Sequence, residues 1–247
     1  MHFEEFGKEH EKTIVMLHAA NYVHVFAKQY CLSDEYHLIV PHLMGYGDET
    51  DKTFNAEEQI KELAEFISSL GKKVALVGFS LGAMVGFKLL AEHPELFNCA
   101  VLVSPWLIKD RETLDKVVAA NEKQLASFKK KWLCGLIARM NGFTKEQRIS
   151  FVEQMQRVTP ETVKNAVDNG ITLETVGGFG KVDVPVLALA GGKEQDFMRE
   201  SVKKMAEMNE NCSCEIWEKA AHNIPPMFAK RFNEQIRGFV GKAFDKG

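Results

Sequence analysis

Cysteine is scarce in this chain, and its five cysteines are scattered, at positions 31, 99, 134, 212 and 214. An odd number of unevenly spaced cysteines does not predict a disulfide framework and favours free thiols in a reducing compartment. Long hydrophobic runs are missing as well: none approaches the roughly 18 residues of a membrane-spanning helix, and the first twelve residues lack the apolar centre of a signal peptide. These absences predict a cytoplasmic protein without a membrane span.

The chain also lacks a strong charge of one sign. Its formal net charge is −3 at pH 7, which gives no overall field that would attract nucleic acid or an anionic membrane. The one basic run, Lys129–Lys131, lies in a helix-like segment, and we interpret it as a solvated face. Cys212 and Cys214 have no nearby partners at ligand spacing, so no metal site is expected there. A dinucleotide fingerprint, a P-loop and an H-E-x-x-H motif are all missing, so no cofactor is expected.

What is present is an alternation of short apolar runs and longer amphipathic stretches. This alternation is typical of an α/β fold with a mostly parallel sheet. Most of the runs are continuously apolar, as expected for strands that helices cover on both faces. Residues 56–70 have acidic residues in the first turn and an apolar stripe, and they predict a helix between two of these strands. The predicted strands are 13–17, 37–40, 74–77, 100–103, 185–190 and 214–217.

The alternation stops between about residues 105 and 182, where no strand-like run occurs. Leu125 to Met140 carries apolar residues at helical spacing, Thr144 to Val158 predicts a further helix, and Thr159-Pro160 marks the start of another. The glycines of 177–180 are interpreted as a flexible return to the sheet. The sequence therefore predicts one α/β core, formed by 1–104 and 183–247, with residues 105–182 inserted as a helical lid.

Gly78-Phe79-Ser80-Leu81-Gly82 lies directly between a predicted strand and a predicted helix. This is a G-x-S-x-G motif in the strand–turn–helix context of a nucleophile elbow, where small residues let the turn close and the serine oxygen projects from the sheet. The helix that follows directs its positive N-terminal end at the site. Ser80 is the predicted nucleophile.

Four segments carry a family resemblance: this elbow, His18-Ala19-Ala20 after a strand, the loop at 40–49 and the segment 91–105. Through them the sequence resembles the α/β-hydrolase family over essentially its whole length. Two positions depart from the family pattern: Ala19 stands where glycine is customary, and His42 stands where aspartate is customary. The resemblance implies an α/β-hydrolase fold with a lid and a Ser–acid–His catalytic triad. It also disfavours epoxide hydrolases and haloalkane dehalogenases, which place aspartate at the nucleophile position.

By this resemblance the base is His222, in the loop after the last predicted strand. The family's G-x-x-D/E turn after a strand gives Glu194, three residues beyond Gly191, as the acid; Asp196 is the competing candidate. The resemblance assigns the oxyanion hole to the backbone N–H groups of Ala20 and Leu81.

Other histidines are expected to have different roles. His18 is expected to brace the oxyanion turn through hydrogen bonds, and His93 is expected to be structural. His24 is a candidate for contact with substrate.

The predicted substrate is a small to medium, mainly apolar carboxylic ester, as for a carboxylesterase. The predicted lid is rich in large apolar residues, most of which are expected to form its core and a few to face the cleft: Trp106, Phe128, Trp132, Met140, Phe143, Phe151 and Met155. Three other reactions on the same triad remain open: C–C bond hydrolysis, thioester hydrolysis and acyl transfer. The protein could also be a ligand sensor with slow turnover, and it could form a homodimer.

Overall fold

A seven-stranded sheet forms the centre of the protein in a computed structural model that describes residues 1–140 and 143–245. The strand order is β1-β3-β2-β4-β5-β6-β7, and all neighbours are parallel except β1, which runs antiparallel to β3. This arrangement confirms the predicted fold class. The strands are β1 (Phe3–Phe6), β2 (Thr13–Leu17), β3 (His37–Pro41), β4 (Val74–Phe79), β5 (Phe97–Val103), β6 (Val186–Gly191) and β7 (Cys212–Trp217).

Helices cover both faces of the sheet, which is why the central strands β2, β4 and β6 are apolar at almost every position. In β2, for example, Val15 and Leu17 pack on one face while Ile14 and Met16 pack on the other. The helices are α1 (Ala56–Ser69), α2 (Leu81–Glu92), α3 (Arg111–Phe128), α4 (Lys131–Met140), α5 (Lys145–Arg157), α6 (Pro160–Val167), α7 (Asp196–Met208), α8 (Ile224–Met227) and α9 (Ala229–Phe244). Within the described residues, none of them is both long and apolar enough to cross a lipid bilayer.

Helices α3 to α6 all lie between β5 and β6, in the segment whose sequence has no strand pattern. Thr144 caps α5 with a reciprocal capping box, and Thr159 caps α6 ahead of Pro160, as the sequence indicated. The apolar spacing from Leu125 to Met140 is divided between two helices that break at Lys129 and Lys130.

One interpretation of this segment is wrong. The return to the sheet at 177–180 is not a loose linker, because Phe179 is fully buried and its ring centroid lies 4.6 Å from that of Phe87. The basic run Lys129–Lys131 is solvent-exposed, as the sequence predicted, and Lys129 also contacts the protein. Its ammonium group donates to the carbonyl oxygens of Met155, Gln156 and Val158, where α5 ends.

Candidate active site

Ser80 sits in a strained turn between β4 and α2. Its φ of 54° and ψ of −113° lie in a region that residues other than glycine rarely adopt. The turn closes only because its flanking residues are small: a Cβ on Gly82 would lie 2.0 Å from the carbonyl oxygen of Leu17, and a Cβ on Gly78 would lie 2.5 Å from that of Gly82. The G-x-S-x-G spacing thus has a steric cause in this fold.

His222 lies in the loop between β7 and α8 and contacts Ser80. Its Nε2 is 3.1 Å from the Ser80 Oγ, and its Nδ1 is 2.5 Å from Glu194 Oε1. The carboxylate favours the tautomer in which Nδ1–H donates to Glu194 and Nε2 accepts from the serine hydroxyl. The Phe79 ring packs against the imidazole, with centroids 5.0 Å apart. The structure therefore brings together the three predicted residues Ser80, His222 and Glu194.

Glu194 is held by a buried hydrogen-bond network. Its side chain is only 2% exposed, and its Oε2 accepts hydrogen bonds from the Ser104 hydroxyl at 2.9 Å and the Gly191 N–H at 2.6 Å. These donors fix the carboxylate so that its other oxygen faces His222. The sequence analysis did not single out Ser104, although its place directly after β5, at the sheet edge that carries Ser80, was an available signal.

The competing acid, Asp196, is directed away from this site. It is the first residue of α7, its side chain is 88% exposed, and it pairs with Arg199. A carboxylate at the first residue of a helix is stabilised by the positive N-terminal end of that helix. Of the two candidates, Glu194 is therefore the carboxylate that lies beside His222.

His18 braces the turn that follows β2. Its Nδ1 lies 2.7 Å from the Ala19 carbonyl oxygen, to which it donates, and its Nε2 accepts from the Leu43 N–H at 2.9 Å. Complete burial lowers the pKa of His18 to about 3, so the ring stays neutral and keeps both hydrogen bonds. Ala20, two residues beyond His18, lines the same cavity as Ser80. Leu81 is the first residue of α2. The assignment of their N–H groups to an oxyanion hole remains a prediction.

A cavity of about 260 Å³ opens in front of Ser80 and His222. Helix α3 and residues Phe143 and Phe151 close one side of it, so the segment between β5 and β6 faces the serine. No lysine, arginine, aspartate or glutamate of the described residues lines it. Its apolar lining consists of Ala19, Ala20, Tyr22, Val25, Phe79, Phe143, Phe151, Pro226 and Met227, and its amide lining of Asn21, Asn121, Gln124 and Asn223.

Several sequence-predicted residues lie elsewhere. Trp132 and Met140 are 72% and 79% exposed rather than part of the helical core, whereas Trp106, Phe128 and Met155 are buried as expected. His24 is not among the lining residues; its Nε2 is 2.6 Å from Glu4 Oε1. Among residues 1–140 and 143–245, no three His, Cys, Asp or Glu side chains are grouped to hold a metal ion.

Comparison with known proteins supports the same family. The sequence matches the alpha/beta hydrolase fold family over residues 12–224. It is 26% identical, over 219 residues and 77% of each chain, to a protein of Bacillus subtilis (strain 168) named as a 2-succinyl-6-hydroxy-2,4-cyclohexadiene-1-carboxylate synthase.

Two solved structures have similar folds. MenH from S. aureus superposes with a TM-score of 0.73 at 20% identity and covers 98% of both chains. A thermophilic esterase from Thermogutta terrifontis superposes with a TM-score of 0.70 at 19% identity, over 98% of this chain and 93% of its own. At these identities the likeness shows the fold alone. The resemblance found in the sequence is confirmed by the family match, which spans most of the chain: this protein is a hydrolase-type member of the alpha/beta hydrolase fold family.

Proposed function

We propose that this protein is a serine hydrolase that cleaves small to medium, mainly apolar carboxylic esters through an acyl-enzyme. The observation that carries the proposal is the continuous hydrogen-bond chain from Ser80 through His222 to Glu194, which opens into a cavity lined by apolar and amide side chains. A serine hydroxyl is a poor nucleophile until a base takes its proton, and His222 is in position to take it.

In the first half of the reaction, Ser80 Oγ attacks the ester carbonyl carbon while His222 Nε2 takes the serine proton. The C=O bond opens to an oxyanion, which the backbone N–H groups of Ala20 and Leu81 would stabilise by about 3 kcal/mol per donor. Glu194 stabilises the resulting imidazolium. His222 then gives the proton to the leaving alkoxide as the C–O bond breaks, and the alcohol departs. In the second half, His222 takes a proton from a water molecule that attacks the acyl carbon. As the bond from that carbon to Ser80 Oγ breaks, His222 returns the proton to Oγ, which releases the carboxylic acid and free Ser80.

The lining of the cavity supports an uncharged acyl group. A carboxylate moved into a site without a cationic partner loses its hydration with little compensation, and the described lining contains no lysine or arginine. The Bacillus relative is named for a product that carries succinyl and carboxylate groups. The cavity of the present chain therefore favours an esterase over an enzyme for such an acidic molecule.

The first test is covalent labelling. A fluorophosphonate should add once to the wild-type protein, as read by intact mass, and should not add to the Ser80→Ala variant. Hydrolysis of p-nitrophenyl esters should fall to near background in Ser80→Ala and in His222→Ala, because these residues act as a unit. The absence of an adduct on the folded wild-type protein would refute a nucleophilic Ser80.

A second test addresses the acyl group. The p-nitrophenyl butyrate and mono-succinate esters have acyl chains of equal length and differ in one terminal carboxylate. We expect kcat/KM for the succinate ester to be at least roughly tenfold lower, because its charge has no partner in the cavity. Equal or faster cleavage of the succinate ester would contradict the proposed preference while leaving the serine chemistry intact.

A further inference from the structure

Helix α4 presents several large apolar side chains to solvent, while Leu133 and Ile137 are partly buried. Trp132, Leu136 and Met140 follow one another at four-residue spacing along one face, and they are 72%, 47% and 79% exposed. The residues that α4 buries completely are Cys134 and Ala138. A helix that only packed on the protein would bury its large apolar residues first, since these lose the most water-exposed area.

A second observation concerns charge. Residues 129–148 contain six lysines and arginines and one glutamate, a formal charge of +6 − 1 = +5, whereas the whole chain has −3. The remainder therefore carries −3 − 5 = −8. Positive charge is concentrated around the exposed apolar row, although the protein as a whole is acidic.

These cations are not used in ion pairs within the described structure. The salt bridges of the helical segment involve Arg111, Lys116 and Arg157. By contrast, the exposed lysines of α7, Lys203 and Lys204, each pair with a glutamate. We use the name α4 patch for the exposed apolar residues and the unpaired cations around them: Trp132, Leu136, Met140, Ile149, Lys130, Lys131, Arg139 and Lys145.

We propose that the α4 patch docks this protein onto an anionic lipid surface. Tryptophan favours the headgroup region of a bilayer, and lysine and arginine can reach the lipid phosphates while their aliphatic stems lie beside the apolar row. A helix with exposed apolar residues and basic flanks is the type that binds in the plane of the interface. Pairing of two copies through this face would bring two charges of +5 together, so the charge favours an anionic partner over self-association.

Docking in this way would place the cavity near the lipid surface. Helix α4 packs against α5 and α3, and these two helices contribute Phe151, Asn121 and Gln124 to the cavity lining. The inference goes beyond the proposed ester hydrolysis and does not depend on it, since binding is measured without turnover.

The three tryptophans allow a direct measurement of docking. Trp106 and Trp217 are buried, and only Trp132 is exposed. Vesicles of equal parts phosphatidylcholine and phosphatidylglycerol should therefore sediment with the protein and shift its fluorescence to shorter wavelength. The shift should be absent in Trp132→Phe even though that variant sediments. Vesicles of phosphatidylcholine alone should bind at least roughly tenfold more weakly, and added salt should weaken the anionic binding.

Variants separate the two parts of the patch. Lys130→Gln with Lys131→Gln should weaken binding to anionic vesicles about fivefold per lysine, and Trp132→Ser with Met140→Ser should weaken it about tenfold or more. The matched control is one triple variant of α7 with Lys203→Gln, Lys204→Gln and Met208→Ser. It removes two exposed charges and one exposed apolar residue from that helix. This control should bind as the wild type does.

Three outcomes would overturn the proposal. They are no binding of the folded wild-type protein to anionic vesicles, equal loss in the α7 control, and binding to soluble polyglutamate without binding to vesicles. The last result would identify the α4 patch as a site for an acidic protein instead.

Discussion

Single residues at the ends of neighbouring strands set the chemistry of this site. Ser80 follows β4 and Ser104 follows β5, and both have a positive φ, 54° and 53°. A side chain in this region is strained, and here the strained backbone turns one hydroxyl toward His222 and the other toward Glu194. The proposed nucleophile Ser80, base His222 and acid Glu194 are thus oriented by backbone positions that the parallel sheet fixes.

The two candidate acids give a sharp prediction at this scale. In Glu194→Gln the amide that replaces the carboxylate cannot stabilise the imidazolium of His222, so kcat for an ester should fall by roughly three to four orders of magnitude. Asp196→Asn removes only a pair with Arg199 on the surface and should change kcat less than about threefold. Steady-state kinetics on p-nitrophenyl butyrate, with circular dichroism to verify folding, makes the comparison. Similar, mild losses in both variants would remove Glu194 from the proposed triad.

At the scale of elements, the junction of β4 and α2 depends on close packing against β2. Because a Cβ at Gly82 would lie 2.0 Å from a backbone oxygen that cannot move freely, Gly82→Ala should cost about 3 kcal/mol or more of unfolding free energy, or prevent folding. Gly238 is the matched control, since it lies in α9 with no atom within 4 Å of an added Cβ. Gly238→Ala should stabilise the protein by about 0.5–1 kcal/mol. Urea denaturation gives both values, and a harmless Gly82→Ala would contradict the steric account of the elbow.

The elements were predictable from sequence where burial determined the pattern. The six predicted strands are present, and most of their positions are apolar because helices cover both faces of the sheet. Strand β1 (Phe3–Phe6) escaped prediction because it is an edge strand with two glutamates, and the 3-10 segment Val23–Asp34 has no clear periodicity. The exposure of Trp132 could not be predicted either, since helical spacing does not indicate which residues face the protein.

At the scale of the whole molecule, the candidate site also has residues that the sequence predicts and residues that it does not. The elbow is local, so its motif identifies Ser80 directly. Glu194 and His222 are 28 residues apart and meet only because β6 and β7 are neighbours in the sheet, and the family pattern was needed to choose Glu194 over Asp196. The contact of Ser104 with Glu194 joins residues 90 positions apart. No local pattern encodes such a contact.

Burial of histidine also links the stability of the whole molecule to pH. His18 has its pKa lowered from 6.5 to about 3 by burial, and burial lowers the pKa of His42 as well. Below pH 6.5 the unfolded chain binds a proton at position 18 that the folded protein does not bind. The unfolded state therefore gains free energy as the pH falls. Stability is complete above pH 6.5 and is lost as the pH falls toward 3.

The expected slope for His18 approaches about 1.4 kcal/mol per pH unit. Urea unfolding of the wild type should therefore show a loss between about pH 6 and pH 5 that exceeds the loss in His18→Asn by roughly 1 kcal/mol. The variant is less stable at neutral pH because the hydrogen bonds to Ala19 and Leu43 change, so the comparison uses the pH slope and not the absolute stability. Parallel slopes in the two proteins would mean that His18 accepts a proton in the folded state. The turn that carries Ala20 could not then be held by a neutral imidazole.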